Sequence, residues 1–404
     1  MASNVAVLSA AVLLPLLFLC NVHAKKVFDV QRYGAHGDGC HDDTEALAKA
    51  WAAGCSSSDR AIVLIPRGKR YLTKHVALSG PCKSSIMLKI EGTLMAPPKG
   101  SHWSKKTNSN RHWIMFNGVN GLTVTGGGTI DGNGKSWWQN SCKTNSKLAC
   151  ENAPTALTFS SCTNLKVQNL KLLNSQQIHM SVEDCSHVKI SHLSITAPST
   201  SPNTDGIHIA RSRHLQVTHC TIRTGDDCVS IEDGTMNLHV KDIACGPGHG
   251  ISVGSLGDGG GEAHVANVTV DSARLAGTAN GARIKTWQGG RGRAEGIVFQ
   301  NMAMEDVRNP IVIDQHYCDS AAPCREQRSA VEVRNVVFKN IWGTSASRDA
   351  IKLRCSTSVP CHGITLQNVR LTLKGGVGDA KSTCENAKWS KSGVVVPQPC
   401  TLGN

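Results

Sequence analysis

A chain of 404 residues with 39 glycines and only 4% aromatic side chains must bury an aliphatic core and turn often. Its formal net charge of +13 attracts polyanions. Lys and Arg are scattered, without a helix-turn-helix, zinc-finger or aromatic-platform pattern, so nucleic acid is not expected and an acidic polysaccharide fits better.

Residues Met1 to Ala24 read as a secretory signal. An apolar run from Val5 to Cys20, interrupted by Pro15, precedes Val22-His23-Ala24, with acceptable residues at both cleavage positions. The later chain has no long uncharged apolar run, so no membrane association is expected after signal removal. Of 17 cysteines, Cys20 lies in the signal, which leaves an even number. In a secreted chain that favours disulfides over metal. Short spacings make Cys142–Cys150, Cys228–Cys245, Cys318–Cys324, Cys355–Cys361 and Cys384–Cys400 candidate pairs. They do not match the paired C-x-x-C pattern of a zinc site, so no metal is expected.

Val27 to Val30 reads as a strand and Gly34 to Gly39 as a glycine-rich turn. Asp42-Asp43-Thr44-Glu45 then opens an alanine-rich helix that stops at Gly54, and capping explains these acids better than calcium. Ala61 to Pro66 is a buried-strand candidate. From about Met87 short β segments succeed one another. Those starting at Leu165, Val188, Leu215 and Leu238 begin 23, 27 and 23 residues apart, and later ones are spaced more widely. This period, with frequent Asn and Gly and little helix signal, predicts a parallel β-helix whose aliphatic residues point inward. A β-sandwich is the weaker reading, because it needs hairpin signals at half that spacing. The expected organisation is all-β: a signal over 1–24, then one solenoid domain over 25–404 with a short N-terminal capping helix.

Asn203-Thr204-Asp205-Gly206, Gly225-Asp226-Asp227-Cys228 and Gly248-His249-Gly250 follow one another at about one coil. Stacked coils would set Asp205, the Asp226–Asp227 pair and His249 roughly 4.8 Å apart per step. Neighbouring carboxyls on a strand face opposite ways, so Gly225 must supply a turn if both address one cleft. Each Asp-Gly or Gly-Asp alone is an ordinary turn signal. Three of them at coil spacing point to general acid–base work, since like charges raise each other's pKa. Arg283 and Lys285, two apart on a strand, face one way and suit a carboxylate ligand.

These motifs, with Arg283-Ile284-Lys285 in fourth place, resemble the signatures of the polygalacturonases, pectin-cleaving glycoside hydrolases. The resemblance runs from about Val27 to Cys400 and includes Ser201 to His208 and Cys245 to Gly257. It implies a right-handed parallel β-helix that inverts configuration, with no cofactor. It implies Asp226 as general acid, Asp205 and Asp227 as the pair that holds and deprotonates water, and His249 as support. Asn203, Arg283, Lys285 and Tyr317 would bind substrate. Ala282 stands where Val is more usual, and Trp287 replaces a frequent Tyr. The implied protein is a secreted, monomeric, wall-located enzyme acting on homogalacturonan. Ile231 to Thr235 and Asn174 to His179 lean toward endo action, with exo action the alternative. His179 is read as a distant subsite or a solvated strand residue. A pectate lyase, a rhamnogalacturonan hydrolase and a non-catalytic pectin-binding wall protein are the other readings. Asn267-Val268-Thr269 is a glycosylation sequon.

Overall fold

The computed structural model describes residues 25–100, 103, 111–319, 324–376 and 378–400. The expected signal lies outside them. The chain coils into a parallel β-helix whose strands form one 17-stranded and one 11-stranded sheet. Parallel crossovers of this kind are right-handed in nearly all cases.

The inward columns explain the coil. Leu165, Val188, Leu215, Leu238, Val268 and Ile297 pair in register and are all buried. These pairs reproduce the 23-, 27- and 23-residue spacing. Phe299 and Phe338 extend a neighbouring column, with stacked rings 5.5 Å apart. Long strands would not close into coils without bends. Asn169, His192, His219, Asp242, Ser272, Asn301 and Asn340 provide one bend per coil in left-handed backbone. Asn and Asp tolerate that conformation well. Their side chains also link coils: Asn340 Nδ2 donates to Asn301 Oδ1 at 3.0 Å, and Asn301 Nδ2 to Asp271 Oδ1 at 2.7 Å. The frequent asparagines are therefore structural.

Coiling begins earlier than the sequence suggests. Lys26–Asp29 already pairs with Ala61–Ile65, which pairs with Ile86–Ile90. These first strands are short and far apart, so their period is hidden. Asp38–Asp42, expected within or beside a turn, is also a strand. The capping helix is Thr44–Cys55, one residue longer than expected. It buries Leu47, Ala50 and Trp51, and Trp51 Nε1 donates to Ser79 O at 3.1 Å. Asp43 does not cap it with its side chain. That buried carboxylate accepts from His36 N at 2.7 Å and Gly37 N at 3.1 Å. Asp42 takes the capping role by accepting from Thr44 N at 3.0 Å.

All five expected disulfides form. A sixth, Cys55–Cys82, ties the helix to the first coils across 27 residues, too far apart to stand out in the sequence. Cys40 is an exposed thiol, and Cys162, Cys185 and Cys220 are buried thiols. No helix among the described residues is long and apolar enough to cross a membrane.

Candidate active site

The site lies on the 11-stranded sheet, where Ile207–Ala210, Val229–Ile231, Ile251–Leu256, Asn280–Trp287 and Asn309–Tyr317 are successive neighbours. Ile207, Val229, Ile251 and Ala282 pair in register. Asp205, Asp227 and His249 each stand two residues before one of these positions. The sequence spacing is thus a stack.

Gly225 lets the stack close, because a Cβ there would come within 2.0 Å of Ser201 O. Its N–H donates to Thr204 Oγ1 at 3.0 Å, which locks the Asp205 turn against the Asp226 turn. The chain bends at Asp226, whose Oδ1 accepts from Asp227 N at 2.8 Å. The same oxygen lies 2.9 Å from His249 Nδ1, and Asp226 O accepts from His249 N at 2.8 Å. The turn expected at Gly225 therefore sends both carboxyls to one side.

Asp227 is 1% exposed and fully engaged. Its Oδ1 accepts from Arg283 Nη2 at 2.7 Å and Ser252 Oγ at 2.8 Å, and its Oδ2 from Lys285 Nζ at 3.1 Å. Burial works to raise its pKa, but Arg283 and Lys285 outweigh burial and hold it below the usual carboxylate range. Asp205 goes the opposite way. Burial, then the charges of Asp226 and Asp227, pushes it well above that range. The bond to Asp226 raises His249 against the effect of burial. One acid of the cluster holds its proton while a neighbour has lost its own, which is the division acid–base catalysis uses. Ligand-type atoms of Asp226, Asp227 and His249 lie within 4.8 Å of one another, a spacing a metal could use. Both Asp227 oxygens, however, already face the chain's own cations.

Arg283 and Lys285 point the same way, as expected, and Arg283 Nε also donates to Ser252 Oγ at 2.8 Å. Tyr317 is half-buried, with its ring 5.1 Å from Lys285 Nζ and edge-on to Trp287. Arg283, Lys285 and Tyr317 line a 360 Å³ pocket that continues to Lys352 and Arg354. Asn203 is not in that pocket. It lines a 170 Å³ cavity with Trp137, Lys143 and Gln177.

His179 is neither a subsite nor solvated. It is fully buried, its N–H donates to Asp205 O at 2.8 Å, and its Nδ1 lies 3.0 Å from the same oxygen. Burial lowers it to about 4, so it stays neutral and fixes the Asp205 backbone. Ser252 was not anticipated. Its only signal was its register with Arg283, 31 residues on, which is readable once the coil length is known. Burial also pushes Glu232, just past Ile231, up to about 7.

One contact crosses the site. Lys143 belongs to the segment that leads into Thr155–Ser160, and Asp319 follows Asn309–Tyr317. The catalytic strands lie between these two. Lys143 Nζ meets Asp319 at 2.9 and 2.8 Å, an exposed link between the segments that flank these strands on either side.

A family model, Glycosyl hydrolases family 28, matches residues 55–395. The chain belongs to glycosyl hydrolases family 28. It is 50% identical to Polygalacturonase-2 of Solanum lycopersicum over 93% of this chain and 81% of that protein. It is 49% identical to a polygalacturonase of Malus domestica over 92% of this chain and 79% of that protein. The solved polygalacturonase of Erwinia carotovora is 26% identical, covers 87% of this chain and 94% of its own, and superposes with a TM-score of 0.69. As a family 28 member the chain is a glycoside hydrolase with the β-helix fold described above.

Proposed function

We propose that this enzyme is a polygalacturonase that hydrolyses α-1,4 bonds of de-esterified pectin outside the cell. The observation that carries this reading is the contact of an acid cluster with a buried cationic pair: Arg283 and Lys285 hold Asp227 and also line the pocket beside it. An acidic sugar needs such cations, and its glycosidic bond needs such acids. Support also comes from the plant relatives named polygalacturonase. Six disulfides support an extracellular, wall-associated location.

In this reading Asp226 protonates the glycosidic oxygen and His249 keeps its proton supply oriented. Asp227, held as a carboxylate, takes the proton of the attacking water. Asp205 shares that water through its protonated carboxyl, a role narrower than base action. Arg283 and Lys285 meet the substrate carboxylate beside the scissile bond with Tyr317 against it, and Asn203 binds substrate from the neighbouring cavity. Endo action and a monomeric state belong to the same proposal, with release of single end sugars as the alternative.

Incubation with polygalacturonate should release reducing ends. The Asp226→Asn variant, folded by circular dichroism, should lose at least roughly 10²–10⁴ of the rate. Undiminished release by that variant would sink the assignment of Asp226. No release by the wild type would sink the activity itself.

A further inference from the structure

A second feature lies on the 17-stranded sheet, away from the catalytic strands. Asn164, His187, His214, Asn237 and Asn267 all take left-handed backbone, one per coil. The kinks stack into a groove of 880 Å³ along the coil axis. Its floor is the register row Lys166, Lys189, Gln216, His239 and Thr269 on five successive coils. His187 and His214 stack beside it, with ring centroids 5.2 Å apart. Two lysines and three histidines line the groove, and no Asp or Glu does.

This row is unfavourable as it stands. Lys166 and Lys189 are directly opposite on paired strands, and like charges so placed destabilise a sheet. Both are exposed, and neither has an ion-pair partner among the described residues. Elsewhere the outer faces do balance: Arg334 meets Glu295, and Arg274 meets Glu305. Two unbalanced lysines on adjacent coils, continued along the groove by the hydrogen-bonding side chains of Gln216, His239 and Thr269, are a complementary surface for a polymer whose anionic groups repeat near the coil step, roughly 4.8 Å.

We propose that this groove is a non-catalytic binding site for an extended polyuronate chain, the polymer class proposed for the cleft. The ligand follows from shape and charge. A linear polymer fits a groove running along the axis, one carboxylate per sugar suits lysines on adjacent coils, and imidazole N–H groups suit sugar hydroxyls. The site holds the enzyme on polymer while the cleft works on another segment. The proposal rests on the polygalacturonase reading for its choice of ligand.

The test is a Lys166→Ala/Lys189→Ala double variant of the full mature chain. Its dissociation constant on immobilised long polygalacturonate should rise about tenfold, which corresponds to about 1.4 kcal/mol. Its kcat/KM on a short oligogalacturonide that fills only the cleft should not change, and its unfolding midpoint should not fall. Unchanged polymer affinity would overturn the proposal. So would a parallel loss on the short oligomer, which would trace the effect to the cleft. Tighter retention of the wild type by double-stranded DNA than by polygalacturonate would overturn the ligand assignment. Failure of the wild type to hydrolyse polygalacturonate is a separate outcome: it sinks the catalytic reading, and binding to the immobilised polymer still decides the groove.

Discussion

Both oxygens of Asp227 are held by cations and a hydroxyl, which decides what this carboxylate can do. An oxygen gripped by Arg283, Ser252 or Lys285 is poorly placed to attack a sugar carbon, but a water beside it can be deprotonated. Configuration should therefore invert, although the nearest Asp226 and Asp227 oxygens are within 4.8 Å. That distance is below the roughly 6.5–9.5 Å expected for inverting pairs, so the expectation of inversion rests on the engagement of both Asp227 oxygens and not on the spacing. Proton NMR of early products should show the β anomer first, and an α anomer appearing first would mean a covalent intermediate. Stability follows from the same residues. Asp205 keeps a proton in the folded state that the unfolded chain releases above 3.8, so its contribution is lost as pH rises through its raised pKa. His249, also raised, contributes below 6.5 and loses that contribution as pH rises through its own folded value. Asp227 is lowered, so its contribution is present above 3.8 and lost on strong acidification. The urea midpoint should accordingly be higher in mild acid than in mild base. Asp205→Asn should flatten that slope, and an unaltered slope would show that Asp205 titrates normally.

Individual coils hold the site residues, and one crosslink ties two of them. Cys228, next to Asp227, is bonded to Cys245 at the end of the Met236–Cys245 strand, closing 17 residues. Replacing both by Ala should lower unfolding free energy by about 2–4 kcal/mol, measured by denaturant titration. Activity should fall by more than this loss explains if Asp227 also shifts, since it is the adjacent residue. This bridge was legible because its cysteines are close in sequence, whereas Cys55–Cys82 was hidden by distance. The same logic separates what could be read at the site. Asp205, Asp226 and His249 were visible because each sits beside a glycine that a tight coil needs, and Asp227 because it follows Asp226. Ser252 and His179 look like any polar strand residue, and their roles come from neighbours one coil away. Asp43 misled because an acid before a helix ordinarily caps it, yet here two loop N–H groups lie nearer.

The whole molecule is a basic rod, and its solenoid was readable from the central coils because they are nearly equal in length. The first coils showed only as isolated strands, Val27 to Val30 and Ala61 to Pro66, without a visible period, because their strands are only three to five residues long. A net charge of +13 should speed encounter with an acidic polymer. On polygalacturonate kcat/KM should drop roughly tenfold between about 0.02 and 0.5 M salt while kcat changes little. A salt-independent kcat/KM would show that the charge serves only solubility. The Lys143–Asp319 contact adds a constraint of another kind. Exposed pairs of this sort contribute about 0–1 kcal/mol, so the link opens and closes readily. When closed, it turns a trench into an eyelet. A smooth thread slides through an eyelet, and a knotted one stops at the rim. Side branches on the polymer are such knots, so this enzyme should work along bare stretches and halt wherever the backbone is decorated.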